Sequence, residues 1–306
     1  MTYTIVSQEA HTHEWYGLRC TGIGASEIGA VLGVSPWASP LTVYLDKVDG
    51  RECNEQPEPM FWGLKLERVI ADEVATRADV QLCGAPGLLR SSEHEWMIGS
   101  PDDMTADGDP VEVKNLAWGY RESEWLESVP EHYYLQCQQQ MAVVGAKRCL
   151  FGALTHGQHL VWEWIQRDES AIQRIVHGGS ALWDRVLRRD PPDSDGHPRD
   201  SARLAAWADR RRGDGIELYE QDIQPLTDEW QIRRAERLAA EKSAKEMKRL
   251  EDAAANQIAQ RIGGIHGYTV TGWQFAWVNT QRKGYTVEPT TVTTFKITPP
   301  KGAKAA

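Results

Sequence analysis

The sequence predicts an α/β fold, with a core of mixed strands and helices followed by a C-terminal extension of one long helix and a β-hairpin. Three observations lead to this prediction. Apolar residues recur at helical spacing in several segments, short apolar runs bounded by turn residues lie between them, and the two kinds of segment alternate along residues 1–190. Such alternation is typical of a sheet covered by helices.

The N-terminal part of the chain is expected to be mainly helical, with two helices joined by a glycine-containing turn. Ser26 is placed to cap the run Glu27–Val34, and Ser39 with Pro40 is placed to begin the next helix. In residues 61–76, apolar side chains recur with charged residues between them, which predicts a third helix.

The middle of the chain predicts strands, a helix, a hairpin and another helix, in that order. An Asp107-Gly108 pair, which is a strong reverse-turn signal, separates the second and third strands. The predicted strands are Val80–Leu89, Trp96–Ser100 and Val111–Asn115, and the helix after them is His132–Val144. The hairpin consists of Arg148–Leu154 and His159–Gln166, and a long amphipathic helix covers Glu169–Arg188.

Composition divides the chain into a core domain (1–190), a linker (191–225) and an extension (226–306). Asp190–Asp200 is rich in Pro, Asp and Gly, as linkers are. Thr227–Ile262 is rich in Ala, Glu, Lys and Arg and ends before two glycines, which predicts a helix. Two β segments are predicted beyond this helix, at Tyr268–Val278 and Thr291–Ile297.

Composition also argues against several classes of protein. No apolar run approaches the roughly 18 residues that a membrane span needs, and the first 15 residues lack the pattern of a secretory signal. The five cysteines form no C-x-x-C pair, which argues against a disulfide framework or zinc ribbon and favours a reducing cytoplasm. Residues 1–190 carry 16 Lys and Arg against 28 Asp and Glu. That balance argues against tight non-specific coating of DNA, yet it suits a site that concentrates carboxylates around a metal.

One stretch carries the candidate chemistry: Ser100-Pro101-Asp102, followed by Glu112 and Lys114. Side chains alternate faces along a strand, so Glu112 and Lys114 point the same way. The turn at Asp107-Gly108 would fold the strand that ends at Asp102 back beside the strand that carries Glu112. Carboxylates with a backbone carbonyl suit Mg²⁺, which can acidify a water for attack on a phosphodiester. An ammonium from Lys114 would orient that water or stabilise the charge that develops.

The same residues also have an ordinary structural interpretation. A Glu-x-Lys pair on a strand is common as a solvent-facing ion pair, and Ser-Pro-Asp is a common turn. The chemical interpretation gains weight because both motifs occur at a suitable separation, are joined by a turn signal and are followed by a helix.

Four motifs in order resemble those of the YqaJ-type viral recombinase and phage lambda exonuclease family, in the PD-(D/E)xK nuclease superfamily. In that family Ser-Pro-Asp is followed ten residues later by Glu-x-Lys, as Asp102 is followed by Glu112. Asp103 stands where the family usually has glycine, which leaves open whether Asp102 or Asp103 faces the metal. The other matches, within Trp15–Leu154, are Arg19 with Gly24–Ile28, Trp62-Gly63 with Glu67, and Gln136-Cys137-Gln138.

The resemblance implies a restriction-endonuclease-like core, in which a central mixed sheet is flanked by helices. It also implies a role for each matching residue. The metal ligands would be Glu67, Asp102, Glu112 and the carbonyl of Val113. Lys114 would be the catalytic lysine, and Gln138 would hydrogen-bond the active-site water or the scissile phosphate.

Arg19 and Ser26 would, by the same resemblance, hold a 5′-terminal phosphate. Arginine binds phosphate through a charge-assisted fork, and a hydroxyl near a helix N-terminus is well placed for an anion. The ordinary alternatives stay open: Ser26 as a helix cap only, and Gln138 as a polar residue on a helix surface.

The activity implied is that of an Mg²⁺-dependent, ATP-independent 5′–3′ exonuclease, with Mn²⁺ as an alternative ion. It would digest linear double-stranded DNA and leave 3′ single-stranded tails for phage-type recombination. The chain has no Walker motif, in agreement with independence from ATP. The expected partners are double-stranded DNA ends, a single-strand annealing protein and further copies in a ring-shaped homo-oligomer, with no membrane.

The expected setting is the cytoplasm of a bacterial host, with a phage or prophage gene. Two alternatives remain at this point. One is a PD-(D/E)xK endonuclease or repair nuclease, and the other is a non-catalytic scaffold that binds DNA ends.

Overall fold

The computed structural model describes residues 2–7, 12–50, 58–116, 128–210, 220–262, 267–268 and 274–275. It separates into two units, Met1–Arg211 and Arg212–Ala306. The candidate residues named above all lie in the first unit.

The first unit alternates helices and strands. In chain order its described elements are β1 (Tyr3–Ser7), α1 (His13–Arg19), β2 (Ile23–Gly24), a 3₁₀ turn (Ala25–Glu27), α2 (Ile28–Val31), α3 (Pro40–Asp49), α4 (Glu58–Ala78), β3 (Leu88–Ser91), β4 (Met97–Gly99), β5 (Asp103–Met104), β6 (Pro110–Leu116), α5 (Glu131–Val144), β7 (Arg148–Thr155), β8 (His159–Gln166), α6 (Glu169–Arg188) and α7 (Pro198–Arg210).

These strands form two four-stranded sheets of mixed direction. One has the order β1–β3–β4–β2 and the other the order β5–β6–β7–β8. In the second sheet β6 and β7 run parallel, with Glu112 opposite Phe151, and β5 and β8 pair antiparallel at the two edges. The predicted α/β core of mixed strands flanked by helices is confirmed, with its strands in two mixed sheets where one central sheet was expected.

Helix α5 has side chains in two hydrophobic clusters, which explains why so many of its residues are buried. Leu135 packs in a cluster with Met97 of the first sheet, whereas Met141 packs in a cluster with Phe151 of the second. Helix α4 covers β6 through another cluster, which includes Val74 and Val113. Because side chains alternate along β6, the even-numbered residues of this strand, which include Glu112 and Lys114, face away from that cluster.

Most of the predicted helices and the hairpin are confirmed, with bounds within a few residues. Ser39 caps α3 as predicted, because its hydroxyl accepts a hydrogen bond of 3.0 Å from the Thr42 N–H. Ser26, in contrast, is not a helix cap: it lies inside the 3₁₀ turn, whose capping position is Gly24. The Glu27 carboxylate accepts from the Gly24 N–H at 2.7 Å instead.

The predicted strand Val80–Leu89 is wrong over most of its length. Only Leu88 and Leu89 belong to β3, and Leu82 forms an isolated bridge with Thr105. Gly84 and Gly87 both have positive φ angles, of 99° and 83°, which interrupt an extended strand.

The predicted linker is also only partly correct, because residues 198–210 form α7. Asp200, 3% exposed, accepts hydrogen bonds from Thr42 at 3.1 Å and Ser194 at 2.5 Å, and also from Ser39. Arg203 forms an ion pair of 2.6 Å with Asp46 on α3. The first unit therefore extends to Arg211 rather than ending at residue 190.

The second unit contains α8 (Glu220–Ile262) and a short antiparallel pair, β9 (Gly267–Tyr268) and β10 (Gln274–Phe275). Pairs such as Lys248 and Asp252 stabilise α8 at helical spacing. The predicted helix is confirmed, while residues 269–273 and 276–278 of the first predicted β segment, and all of Thr291–Ile297, lie outside the described residues. No helix in the described part of the chain is both long and apolar enough to span a membrane.

Candidate active site

Strand β6 places Glu112 and Lys114 on one face and Val111 and Val113 on the other. Val111 and Val113 are buried in the cluster that α4 covers. Glu112 is 1% exposed and accepts a hydrogen bond from the Lys114 ammonium. The predicted alternation along this strand is confirmed, and the pair is not the solvent-facing ion pair of the ordinary interpretation.

Asp102 lies beside β6 because the chain turns back between β5 and β6. Its N–H donates to the Val111 carbonyl at 3.0 Å, and its Oδ2 accepts from the Val113 N–H at 2.7 Å. These two bonds hold the carboxylate next to Glu112. The turn contains Gly108 with φ of 84°, as the Asp-Gly signal predicted.

The strand that pairs with β6 is not the predicted one. Short β5, with Asp103 opposite Val111, provides the pairing. The predicted strand Trp96–Ser100 corresponds to β4, which belongs to the other sheet. The Ser-Pro-Asp motif thus connects two sheets instead of ending one hairpin strand.

Asp103 faces away from the site. Its Oδ1 accepts from the Gly84 N–H at 2.7 Å, and its Oδ2 lies 3.0 Å from Arg68 on α4. Asp102 is therefore the aspartate that joins Glu112, as the family motif implied.

Helix α5 holds both oxygens of Glu112. Gln136 donates from Nε2 to Oε1 at 2.6 Å, and Gln140 donates from Nε2 to Oε2 at 2.6 Å. Side chains four residues apart share one face of a helix, which is how the two glutamines meet one carboxylate. The four-residue spacing of Gln136 and Gln140 in the sequence was the signal that could have revealed them.

Gln138 is not in the site, and its predicted position there is wrong. Two residues along a helix correspond to about 200° of rotation, so Gln138 faces away from Gln136. It is buried, donates to the Gln166 carbonyl at 2.8 Å and accepts from the Asp168 N–H at 2.8 Å. It therefore ties α5 to the junction of β8 and α6, and it is not a surface residue either.

The carboxylates of the site repel each other. Burial raises the pKa of Asp102 well above its usual range, and repulsion from Glu112 raises it further. Burial and repulsion from Glu112 also raise the pKa of Glu67 on α4. Burial by itself would lower the pKa of Lys114, but attraction to Glu112 and Asp102 outweighs it, and the net pKa is raised. Lys114 is therefore a charged ammonium at neutral pH.

Arg19 and Ser26 lie close together at the end of α1 and in the 3₁₀ turn. Arg19 donates from Nη2 to the Ser26 hydroxyl at 3.1 Å, and its guanidinium stacks 4.9 Å from the ring centre of Trp15. The Nε of Arg19 is buried and has no hydrogen-bond partner within the described ranges. A donor of this kind beside a cavity suits an anionic ligand.

One cavity of about 200 Å³ brings together most of the predicted site residues. Val113 lines an adjoining cavity of about 250 Å³ that shares Glu67, Asp102 and Lys114 with the first. The side chains of interest around the first cavity are Arg19, Ser26, Glu67, Asp102, Glu112, Lys114, Gln136 and Gln140.

The donors present fit a hard divalent cation in type and charge. Three carboxylates and a backbone carbonyl are oxygen ligands of the kind that Mg²⁺ prefers, and the repulsion among the carboxylates would be relieved by a cation. Within the described residues, no three acidic, His or Cys side chains converge closely enough to hold an ion as they stand. The oxygens of Glu112 are instead held by glutamines and Lys114, so ion binding requires some rearrangement of side chains.

Comparison with sequence families supports the motif resemblance. Residues 14–147 match the model of the YqaJ-like viral recombinase domain family. The chain is 29% identical over 195 residues to the uncharacterized protein YqaJ of Bacillus subtilis (strain 168), covering 62% of this chain and 61% of YqaJ. It is 25% identical over 178 residues to the uncharacterized protein R354 of Acanthamoeba polyphaga mimivirus, covering 54% of this chain and 32% of R354. The chain thus spans less than two thirds of the length of either relative.

Comparison with solved structures supports the fold. The alkaline exonuclease LHK-Exo from Laribacter hongkongensis, solved in complex with dAMP, superposes with a TM-score of 0.50 at 22% identity, covering 58% of this chain and 94% of that chain. The predicted restriction-endonuclease-like core is confirmed by this shared fold. The match of residues 14–147 to the YqaJ-like viral recombinase domain model and the order of the four motifs agree with this shared fold.

Proposed function

We propose that this protein is a metal-dependent nuclease that hydrolyses linear double-stranded DNA from its 5′ ends without ATP. Its products would be 3′ single-stranded tails suited to phage-type recombination. The observation that carries the proposal is the cavity in which Glu67, Asp102, Glu112 and Lys114 lie beside Arg19 and Ser26. Hydrolysis of a phosphodiester at a DNA end uses acidic ligands, an ammonium and an anion-binding group, and the cavity has all three.

Glu67, Asp102, Glu112 and the Val113 carbonyl would hold Mg²⁺ or Mn²⁺. When bound, such an ion supplies Lewis-acid stabilisation of the charge that builds on the phosphate. The glutamines of α5 fix Glu112, and partners of this kind determine how well a ligand is oriented.

Lys114 has a separate task in this proposal. Its ammonium is fixed by Glu112 and lies 5.5 Å from the centre of the Tyr133 ring. A positive charge held in place before the reaction stabilises the negative charge of the transition state without reorganisation.

Arg19 and Ser26 would bind the terminal 5′-phosphate, and this sets the direction of digestion. The unused Nε donor of Arg19 supports this assignment. A phosphate held there, in the same cavity as Glu112, would place a bond near the chain end at the acidic residues.

The partners follow from the same proposal. The protein would act on double-stranded DNA ends, pass its product to a single-strand annealing protein and assemble as a ring-shaped homo-oligomer. The bacterial cytoplasm, with a phage or prophage gene, is the setting in which such a reaction would occur.

The test is digestion of a linear duplex that has one 5′-phosphorylated end and one blocked end, with and without Mg²⁺. We expect degradation from the phosphorylated end only, no reaction with a chelator, and no cleavage of covalently closed circular DNA. Cleavage of the circle would favour the endonuclease alternative. Binding to ends without hydrolysis under any condition would favour the scaffold alternative.

Two variants link that activity to the site. Glu112→Gln and Asp102→Asn should each reduce hydrolysis at least 100-fold while DNA affinity stays within a few-fold, because they remove charge for a metal and no phosphate contact. Initial rates and binding on the same duplex measure both quantities. Robust Mg²⁺-dependent hydrolysis by either variant would show that the site is wrongly assigned.

A further inference from the structure

A buried ion pair lies behind Arg19 and has no part in the chemistry described so far. Lys47 of α3 and Glu27 of the 3₁₀ turn are separated by 2.6 Å between Nζ and Oε2, with side chains 2% and 13% exposed. A buried ammonium is costly unless it is paired and hydrogen-bonded. Lys47 meets both conditions, so its surroundings are arranged to hold a buried ammonium.

Lys47 connects three elements around the Arg19 pocket. Its ammonium also donates to the Arg19 carbonyl at 2.8 Å, at the end of α1, where the helix dipole favours positive charge. Glu27 Oε2 accepts in addition from the Gly24 N–H. A Cβ on Gly24 would lie 3.1 Å from both Arg19 Nη2 and Glu27 Oε2, so a larger residue there would have to push these two side-chain ends aside.

The distances show how Glu27 divides its contacts between two cations. Oε2 is engaged by Lys47 at 2.6 Å, whereas Oε1 lies 3.6 Å from Arg19 Nη2, beyond hydrogen-bond distance. Burial raises the pKa of Glu27, but Lys47 and then Arg19 outweigh it and bring the pKa to about 2. Glu27 is therefore a full negative charge at neutral pH, and Lys47 is its main neutralising partner.

We propose that Lys47 is a positioning residue that neutralises Glu27 and thereby keeps the Arg19 guanidinium available for the terminal phosphate of DNA. The inference rests on the proposed function, since it takes that phosphate as the ligand of Arg19. Without Lys47, Arg19 is the remaining cation beside Glu27 among the described residues, and it would close on Glu27 in a charge-assisted pair. The Arg19 guanidinium would then no longer be available to bind the phosphate.

The test measures binding and not hydrolysis. Fluorescence anisotropy with a chelator present gives the affinity for two duplexes that differ only in a 5′-phosphate or a 5′-hydroxyl. We expect the wild type to prefer the phosphate about tenfold. Lys47→Met should lose most of that preference. Lys47→Met combined with Glu27→Gln should recover most of it, because Arg19 then has no charged competitor.

Recovery in the double variant distinguishes this role from a structural one, since the double variant removes more buried contacts than the single. A matched control is Arg203→Met, which breaks a partly buried ion pair to Asp46 on the same helix α3. It should lower the melting temperature and leave the phosphate preference unchanged. If Lys47→Met does not fold, the Glu27→Gln variant tests the inference by itself. It should retain the preference for the 5′-phosphorylated duplex.

Four results would overturn the inference. A preference that survives in Lys47→Met, or a double variant as weak as the single, would show that Lys47 only supports the fold and would leave the proposed function intact. Loss of preference in Glu27→Gln would overturn the inference in the same way. Equal wild-type affinity for the two ends would overturn the phosphate pocket together with the inference, while hydrolysis dependent on Asp102 and Glu112 would still stand on its own assay.

Discussion

At the scale of single residues, Glu112 is a buried charge with three side-chain donors. Gln136, Gln140 and Lys114 all donate to it while its exposure is 1%. Burying a carboxylate without partners costs several kcal/mol, so these donors make the charge tolerable and also fix its oxygens. Gln140 retains a buried Oε1 that has no hydrogen-bond partner in the described part of the chain.

The glutamines of α5 allow a test with an internal control. Gln136→Met and Gln140→Met should each weaken Mn²⁺ affinity about 10- to 100-fold, because Glu112 loses a donor that orients it. Gln138→Met, on the same helix and equally buried, should reduce the free energy of unfolding by roughly 1–3 kcal/mol and leave Mn²⁺ affinity unchanged. Isothermal titration calorimetry and urea unfolding measure the two quantities. Equal losses of Mn²⁺ affinity in all three variants would contradict the assignment.

Lys114 gives a second prediction at this scale. Lys114→Ala should slow single-turnover hydrolysis at least 100-fold with DNA affinity changed only a few-fold, since the ammonium stabilises charge that develops mainly in the transition state. Lys114→Arg should not restore the rate, because a planar guanidinium does not reproduce a compact point charge. A normal rate in Lys114→Ala would make Lys114 only a structural partner of Glu112.

At the scale of elements, local patterns predicted most helices and the positions of β6, β7 and β8. Strand alternation was sufficient to place Glu112 and Lys114 on one face. The face of α5 was not predictable in the same way, because α5 packs in two clusters and has no single apolar side to indicate its rotation. The family resemblance implied a site role for Gln138, whereas Gln136 and Gln140 contact the carboxylate.

The sheet that the strand before Ser-Pro-Asp joins was also predicted wrongly. The strand ending before Ser-Pro-Asp was expected to pair with β6, whereas it joins β3 and β2 in the other sheet. Which sheet a short strand joins depends on side-chain packing with distant parts of the chain, and no local pattern encodes it. The contacts of Lys47 with Arg19 and Glu27 are long-range in the same sense.

Helix α7 provides the element-scale prediction. A chain that ends at Asp190, the boundary expected from composition, should be less stable than one that ends at Arg210, because it lacks the Asp200 and Arg203 contacts and the packing of Trp207. The loss should be roughly 2–3 kcal/mol, which for a domain of this size lowers the melting temperature by roughly 5–10 °C. Thermal unfolding of the two chains measures it. Equal melting temperatures would mean that α7 is dispensable to the first unit.

At the scale of the whole molecule, the candidate active site opposes stability. Three carboxylates share one cavity, and the pKa values of Asp102 and Glu67 are raised by burial first and by Glu112 second. Functional sites commonly hold such unfavourable arrangements, and the rest of the fold compensates for them. The large hydrophobic clusters around α5 and α4 supply that compensation here.

The repulsion predicts how stability responds to pH and metal. The pKa of Asp102 in the folded protein lies above its ordinary value of 3.8. The Asp102 carboxyl therefore stabilises the fold at pH values below 3.8, and this stabilisation is lost as pH rises through the raised pKa. At pH 8 the charge therefore destabilises the metal-free protein. Asp102→Asn removes the charge and keeps an acceptor for the Val113 N–H, so it should raise the metal-free free energy of unfolding by roughly 1–2 kcal/mol.

Urea unfolding at pH 8 and pH 4, with and without Mg²⁺, measures both effects. The difference between Asp102→Asn and the wild type should shrink toward pH 4, where the wild-type carboxyl is protonated in the folded state. Mg²⁺ at about 100 times its dissociation constant should stabilise the wild type by about 2.7 kcal/mol and the variant much less, because the variant lacks a charged ligand. A metal-free Asp102→Asn variant that is less stable than the wild type at pH 8 would show that hydrogen bonding, and not repulsion, dominates at this carboxylate.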